Sequence, residues 1–86
     1  MRNLNYVVLI SSNVELNDFS VNKVEALNGF QPNPDGIHIE YNESRRKFRV
    51  TLSEEYMDKN NIPMIFLSKH AISKVKEYIE ENNLNG

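Results

Sequence analysis

Between Gly36 and Leu52 the chain reads GIHIEYNESRRKFRVTL, an alternation that constrains the fold more than any other stretch. Side chains along a strand point to opposite faces in turn. Ile37, Ile39 and Tyr41 therefore share one face of a first strand, and Phe48, Val50 and Leu52 share one face of a second. Folding the segment back on itself opposes Tyr41 with Phe48, Ile39 with Val50 and Ile37 with Leu52, three apolar pairs on one face. The same register sets Glu40 opposite Arg49, Asn42 opposite Lys47 and His38 opposite Thr51 on the other face, so both faces specify it. The connection is either a two-residue loop at Ser44-Arg45 or a four-residue loop from Glu43 to Arg46, because Ser-Arg is not the Asn-Gly type of pair that a tight primed turn prefers.

The rest of the chain must supply partners for this hairpin. Leu4 to Ile10 is an apolar run rich in β-branched residues and reads as a central strand buried on both faces. From Asn17 to Gly29, Val21, Val24 and Leu27 recur every three residues, with polar N-cap candidates before them and Gly29 after, which predicts a helix over about 18–28. A competing reading takes Val14 to Val24 as extended, since Val, Phe and Asn are poor helix formers. Gln31-Pro-Asn-Pro-Asp-Gly36 is a loop leading into the hairpin.

Thr51-Leu-Ser-Glu54 has the spacing of a capping box and predicts a short helix ending near Lys59, before Asn60-Asn61. The run Ile62-Pro-Met-Ile-Phe-Leu67 fits either a buried strand or the start of a longer helix with Pro63 in its first turn; with Ser68 available as a cap, strand followed by helix is the preferred reading. Over about 69–82, Ala71, Ile72, Val75, Tyr78 and Ile79 form an amphipathic stripe that predicts a helix. These elements fit a single domain over residues 1–86, an α+β two-layer sandwich. Its sheet is antiparallel or mixed, with three to four strands and a central hairpin, and its two main helices span about 18–28 and 69–82.

Composition excludes several kinds of chemistry. The 86-residue chain has no cysteine, which removes disulfides, iron-sulfur clusters and thiolate nucleophiles. Its three glycines are scattered, so no phosphate-cradling glycine loop can be assembled. The longest uninterrupted apolar run, Tyr6 to Ile10, is far shorter than the roughly 20 residues that span a bilayer, and a cytoplasmic protein without membrane segments is expected. His38 and His70 are the only imidazoles. Neither lies in a nucleophile motif or at metal-ligand spacing, so no catalytic residue, no metal and no cofactor is expected.

Charge is the remaining signal. The formal net charge is −2, yet Arg45, Arg46, Lys47 and Arg49 put four positive charges within five residues. Guanidinium and ammonium groups on a hairpin can track phosphates, which points to a non-enzymatic protein that binds nucleic acid, RNA above all, through these four residues with His38 beside them. Tyr41 and Phe48 fall on the apolar face, so the charged face has no aromatic stacking platform. The alternative is an inhibitor or adaptor of the type carried by phages and mobile elements, which presents the cluster to an acidic surface or covers a larger protein. Tyr56, Met57, Met64 and Phe66 would be its anchors if exposed, although Met64 and Phe66 read as core residues.

Overall fold

The computed structural model describes residues 4–13, 18–29 and 35–82. Four strands, β1 (Leu4–Asn13), β2 (Asp18–Asn28), β3 (Ile37–Asn42) and β4 (Lys47–Ser53), precede two helices, α1 (Glu54–Lys59) and α2 (Leu67–Glu81). The strands form one antiparallel sheet in the order β2-β1-β4-β3, and the helices pack on one of its faces. This is a small α+β fold.

β3 and β4 pair with Tyr41 opposite Phe48, Ile39 opposite Val50 and Ile37 opposite Leu52. The hairpin is not central as a unit: β1 and β4 are the inner strands, and β3 is an edge. Val8, Ile10, Phe48, Val50 and Leu52 meet Leu67, Ala71, Val75 and Ile79 of α2, a stripe repeating every fourth residue, together with Met57 of α1. Phe48 stacks on Tyr41 with ring centroids 4.4 Å apart and meets the edge of Tyr78 at 5.9 Å. β1 is buried on both faces at its middle: Val8 on the helix side is 0% exposed, and Val7 on the opposite side, between Glu25 and Thr51, is 3% exposed.

The expected helix over 18–28 is a strand. The first step of its period of three, Val21 to Val24, spans a one-residue bulge, while the second, Val24 to Leu27, crosses to the other face: Leu9 pairs with Lys23 and Ile10 with Val21, which leaves Asn22 as an extra residue. Before the bulge Phe19 and Val21 face the helices, and after it Val24 and Ala26 do, opposite Ser12, Ile10, Val8 and Tyr6. The spacing from Val21 to Val24 thus imitates one helical turn, while the poor helix propensity of Val, Phe and Asn prevails. The competing extended reading is correct over Asp18–Val24, and Val14 to Asn17 lie outside the described residues. Gln31 to Pro34 of the expected loop also lie outside them.

The first helix starts two residues later than the capping-box reading. Thr51 remains in β4, and Ser53 is the N-cap, its hydroxyl accepting from the Tyr56 N–H at 3.0 Å. α1 closes on Asn60-Asn61 as expected. Asn61 adopts φ 54°, its N–H donates to the Asp58 carbonyl at 3.3 Å, and the Ile62 N–H donates to the Met57 carbonyl at 2.9 Å, the paired bonds of a Schellman motif.

Ile62 to Leu67 is not a strand. Pro63 is extended and Met64–Phe66 form a single 3-10 turn, with the Phe66 N–H donating to the Pro63 carbonyl at 2.9 Å. The fourfold stripe of α2 extends back to Leu67, so the helix starts there and not at a Ser68 cap. The turn is left at the surface. Met64 is 53% exposed, Ile65 84% and Phe66 51%, which overturns the core reading of Met64 and Phe66, whereas Met57 is buried.

Candidate nucleic-acid interface

The hairpin turn spans Glu43 to Arg46, the four-residue alternative. The Asn42 side-chain carbonyl accepts from the Ser44 hydroxyl at 2.9 Å and from the Arg45 N–H at 3.3 Å, an Asx-type closure. The Arg46 N–H donates to the Glu43 carbonyl at 3.3 Å, and Arg46 takes φ 54°, the left-handed conformation that glycine or asparagine normally occupies in such a turn. The Arg46 carbonyl then accepts from the Ser12 N–H at 3.0 Å and the Ser12 hydroxyl at 3.3 Å, which ties the tip to the end of β1.

Both helices lie on the apolar side of the sheet, and among the described residues no helix packs on the other side. That open face can be read from the strand registers as three rows running from β2 to β3. They are Ser20-Ser11-Lys47-Asn42, Lys23-Leu9-Arg49-Glu40 and Glu25-Val7-Thr51-His38. Lys47 and Arg49 therefore stand two residues apart on one face of an inner strand, roughly 7 Å along it. Arg45 and Arg46 are exposed in the adjoining turn. The fold brings all four cations to one end of the sheet.

Their neighbours leave that charge largely uncompensated. Glu40 lies opposite Arg49, but its carboxylate is 3.3 Å from His38 Nε2 on its own strand. Lys23 is paired with Glu25 at 2.5 Å. Among the described residues, no carboxylate lies within ion-pair distance of Arg45, Arg46, Lys47 or Arg49. His38 stands apart from the other four predicted residues, at the sheet edge and against Glu40. It also borders a groove of about 420 Å³ lined by Asp35, Glu81 and the Lys74–Glu77 ion pair.

The sequence matches no known protein family, and neither a curated protein nor a solved structure shows significant similarity to it.

His70 occupies a different surface. Its Nε2 is 2.8 Å from the Tyr56 hydroxyl, which links α2 to α1. It borders a shallow groove of about 330 Å³ with Ile62, Pro63, Phe66, Lys69 and Ser73, a lining that contains no carboxylate to orient the imidazole. Burial, with Lys74 adding to it and Glu77 opposing, pushes the imidazole pKa below its ordinary 6.5. Because the folded value is the lower one, the unfolded chain binds the extra proton. The contribution is full above about pH 6.5 and is lost as pH falls through the folded value. His70→Gln is accordingly expected to show a smaller drop in Tm between pH 7.5 and 5.5 than the parent, measured by thermal melts at both pH values. An equal drop would assign the acid sensitivity elsewhere. Among the described residues, no three His, Asp or Glu side chains converge as a metal site would require, and no helix is long and apolar enough to cross a membrane.

Proposed function

We propose that this is a non-enzymatic binding protein of the cytoplasm that holds the backbone of a single-stranded nucleic acid, RNA above all, against the tip and open face of its β3–β4 hairpin. The observation that carries this reading is the set of four exposed cations, Arg45, Arg46, Lys47 and Arg49, with no ion-pair partner among the described residues. A cluster serving only solubility would gain from its nearest carboxylate, yet Glu40 faces His38. Arg46 adds to the argument: a left-handed turn position that favours glycine holds an arginine, a local cost that a role for its side chain would explain.

The chemistry is that of phosphate contact. Tyr41 and Phe48 stack on each other on the helix side, so among the described residues bases find no aromatic platform on the open face, and binding should tolerate many sequences. Four phosphate contacts on a single strand give a slope of log affinity against log salt of about −3, or about a 50-fold loss between 50 and 200 mM salt. Fluorescence anisotropy with a labelled single-stranded RNA over that range measures it. Affinity that does not change with salt would exclude phosphate contact as the source of binding.

A second reading rests on a separate observation. Met64, Ile65 and Phe66 form a contiguous exposed apolar turn, of the kind that marks a protein-binding surface. This favours an inhibitor or adaptor that covers a larger protein. A partner that copurifies stoichiometrically after nuclease digestion and is lost on Ile65→Asp would favour this reading over the first.

A further inference from the structure

We propose that β2 is a self-pairing edge, through which two copies of the chain join antiparallel into one eight-stranded sheet. This rests on the strand register and not on the nucleic-acid reading. β2 is the longest strand, it lies at the edge of the sheet, and no described residue pairs with its outer side. Edge strands are normally blunted by proline, by unpaired lysine, by brevity or by a bulge, and of these β2 carries only the bulge at Asn22. β2 has eleven residues and no proline, and its one lysine is neutralised by Glu25 two residues away on the same face.

Its sequence is self-complementary about Val24. A two-fold axis through that residue opposes Val24 with Val24 of the second copy, and Lys23 of each copy with Glu25 of the other. Four charges then alternate in sign on the open face, each lysine reaching two carboxylates. The bulge preserves this match. Skipping Asn22 in both copies opposes Val21 with Ala26, Ser20 with Leu27 and Phe19 with Asn28, and every pair joins residues of the same face.

The apolar side gains most. Val24 is 43% exposed and Ala26 is exposed, because α2 leaves this margin of the sheet incompletely covered; pairing would join Phe19, Val21 and Val24 of both copies into one stripe. α2 lies across β2, β1 and β4, so the two copies of the helix would stand about 14 Å apart, outside the roughly 8–10 Å of helix contact. The axis is perpendicular to the sheet. Both open faces therefore look the same way, with the two basic tips at opposite corners.

Analytical ultracentrifugation over a micromolar to millimolar series should show the 10.0 kDa chain passing to twice that mass. Lys23→Glu sets like charges opposite each other at two places and should raise the dimer Kd roughly tenfold or more. The double exchange K23E/E25K restores opposite charges and should restore the dimer. Lys23 is exposed and Glu25 half-buried, and circular dichroism checks that the fold is retained. A monomer throughout the series overturns the proposal. So does a dimer insensitive to Lys23→Glu, one not rescued by the double exchange, or one dissolved instead by Ile65→Asp.

Discussion

Replacing Arg45, Arg46 and Arg49 together by glutamate should lower the affinity for single-stranded RNA roughly 100-fold and leave the fold intact. Each exposed charge contact contributes on the order of 1 kcal/mol, so loss of three corresponds to about two decades in Kd, before the repulsion from the new carboxylates is counted. The fold should survive because all three side chains are exposed and none has an ion-pair partner among the described residues. Each reversal subtracts two charges, which takes the formal net charge from −2 to −8. A control with the same total, Lys59, Lys69 and Lys76 to Glu, alters exposed positions on the helices instead. If the hairpin is the interface, the control should weaken binding far less than the arginine reversal. Equal losses in the two variants would reduce the effect to net charge, and a folded arginine variant that binds as the parent does would remove the hairpin from the interface.

Phe48→Ala should be the most destabilising single truncation in the sheet, at about 3–5 kcal/mol. The residue is among the largest fully buried side chains, and its removal leaves Tyr41 without its stacked partner and Tyr78 without the ring its edge meets. A chain of 86 residues has a total stability of about 4–13 kcal/mol, so the loss is a large fraction of the whole. Each kcal/mol is worth about 4–8 °C at this size, which puts the loss in Tm at about 12–40 °C. Ile65→Ala, at an 84% exposed site, should stay within about 0.5 kcal/mol of the parent. A Phe48→Ala protein that melts within a few degrees of the parent would contradict the packing described above.

The hairpin was legible because period-two alternation between Gly36 and Leu52 sets three apolar pairs on one face and polar pairs on the other, although its turn residues left the loop length open. β2 was not, because a single bulged residue changes the parity of a strand and leaves a spacing of three that a helix also produces. Periodicity read from sequence assumes uninterrupted ladders, and Asn22 breaks that assumption. Met64 to Phe66 misled for a different reason. Apolar runs are usually buried, but here Leu67 alone joins the core stripe and the turn before it stays at the surface. The four cations were visible in sequence as a cluster. Glu40 had two partners within reach in the sequence, Arg49 across the ladder and His38 two residues back, and the choice between them was not legible, since strand register does not fix which rotamer a carboxylate adopts.

The bonds from Ser12 to the Arg46 carbonyl have a thermodynamic consequence. They fix the backbone of the turn to an inner strand, so an incoming ligand need not organise a loop before it meets the arginines. What remains to be ordered is the side chains themselves, at about 0.5–1.5 kcal/mol each. Association through such a tip resembles docking on a prepared surface, and its rate should be governed by electrostatic attraction more than by rearrangement of the protein.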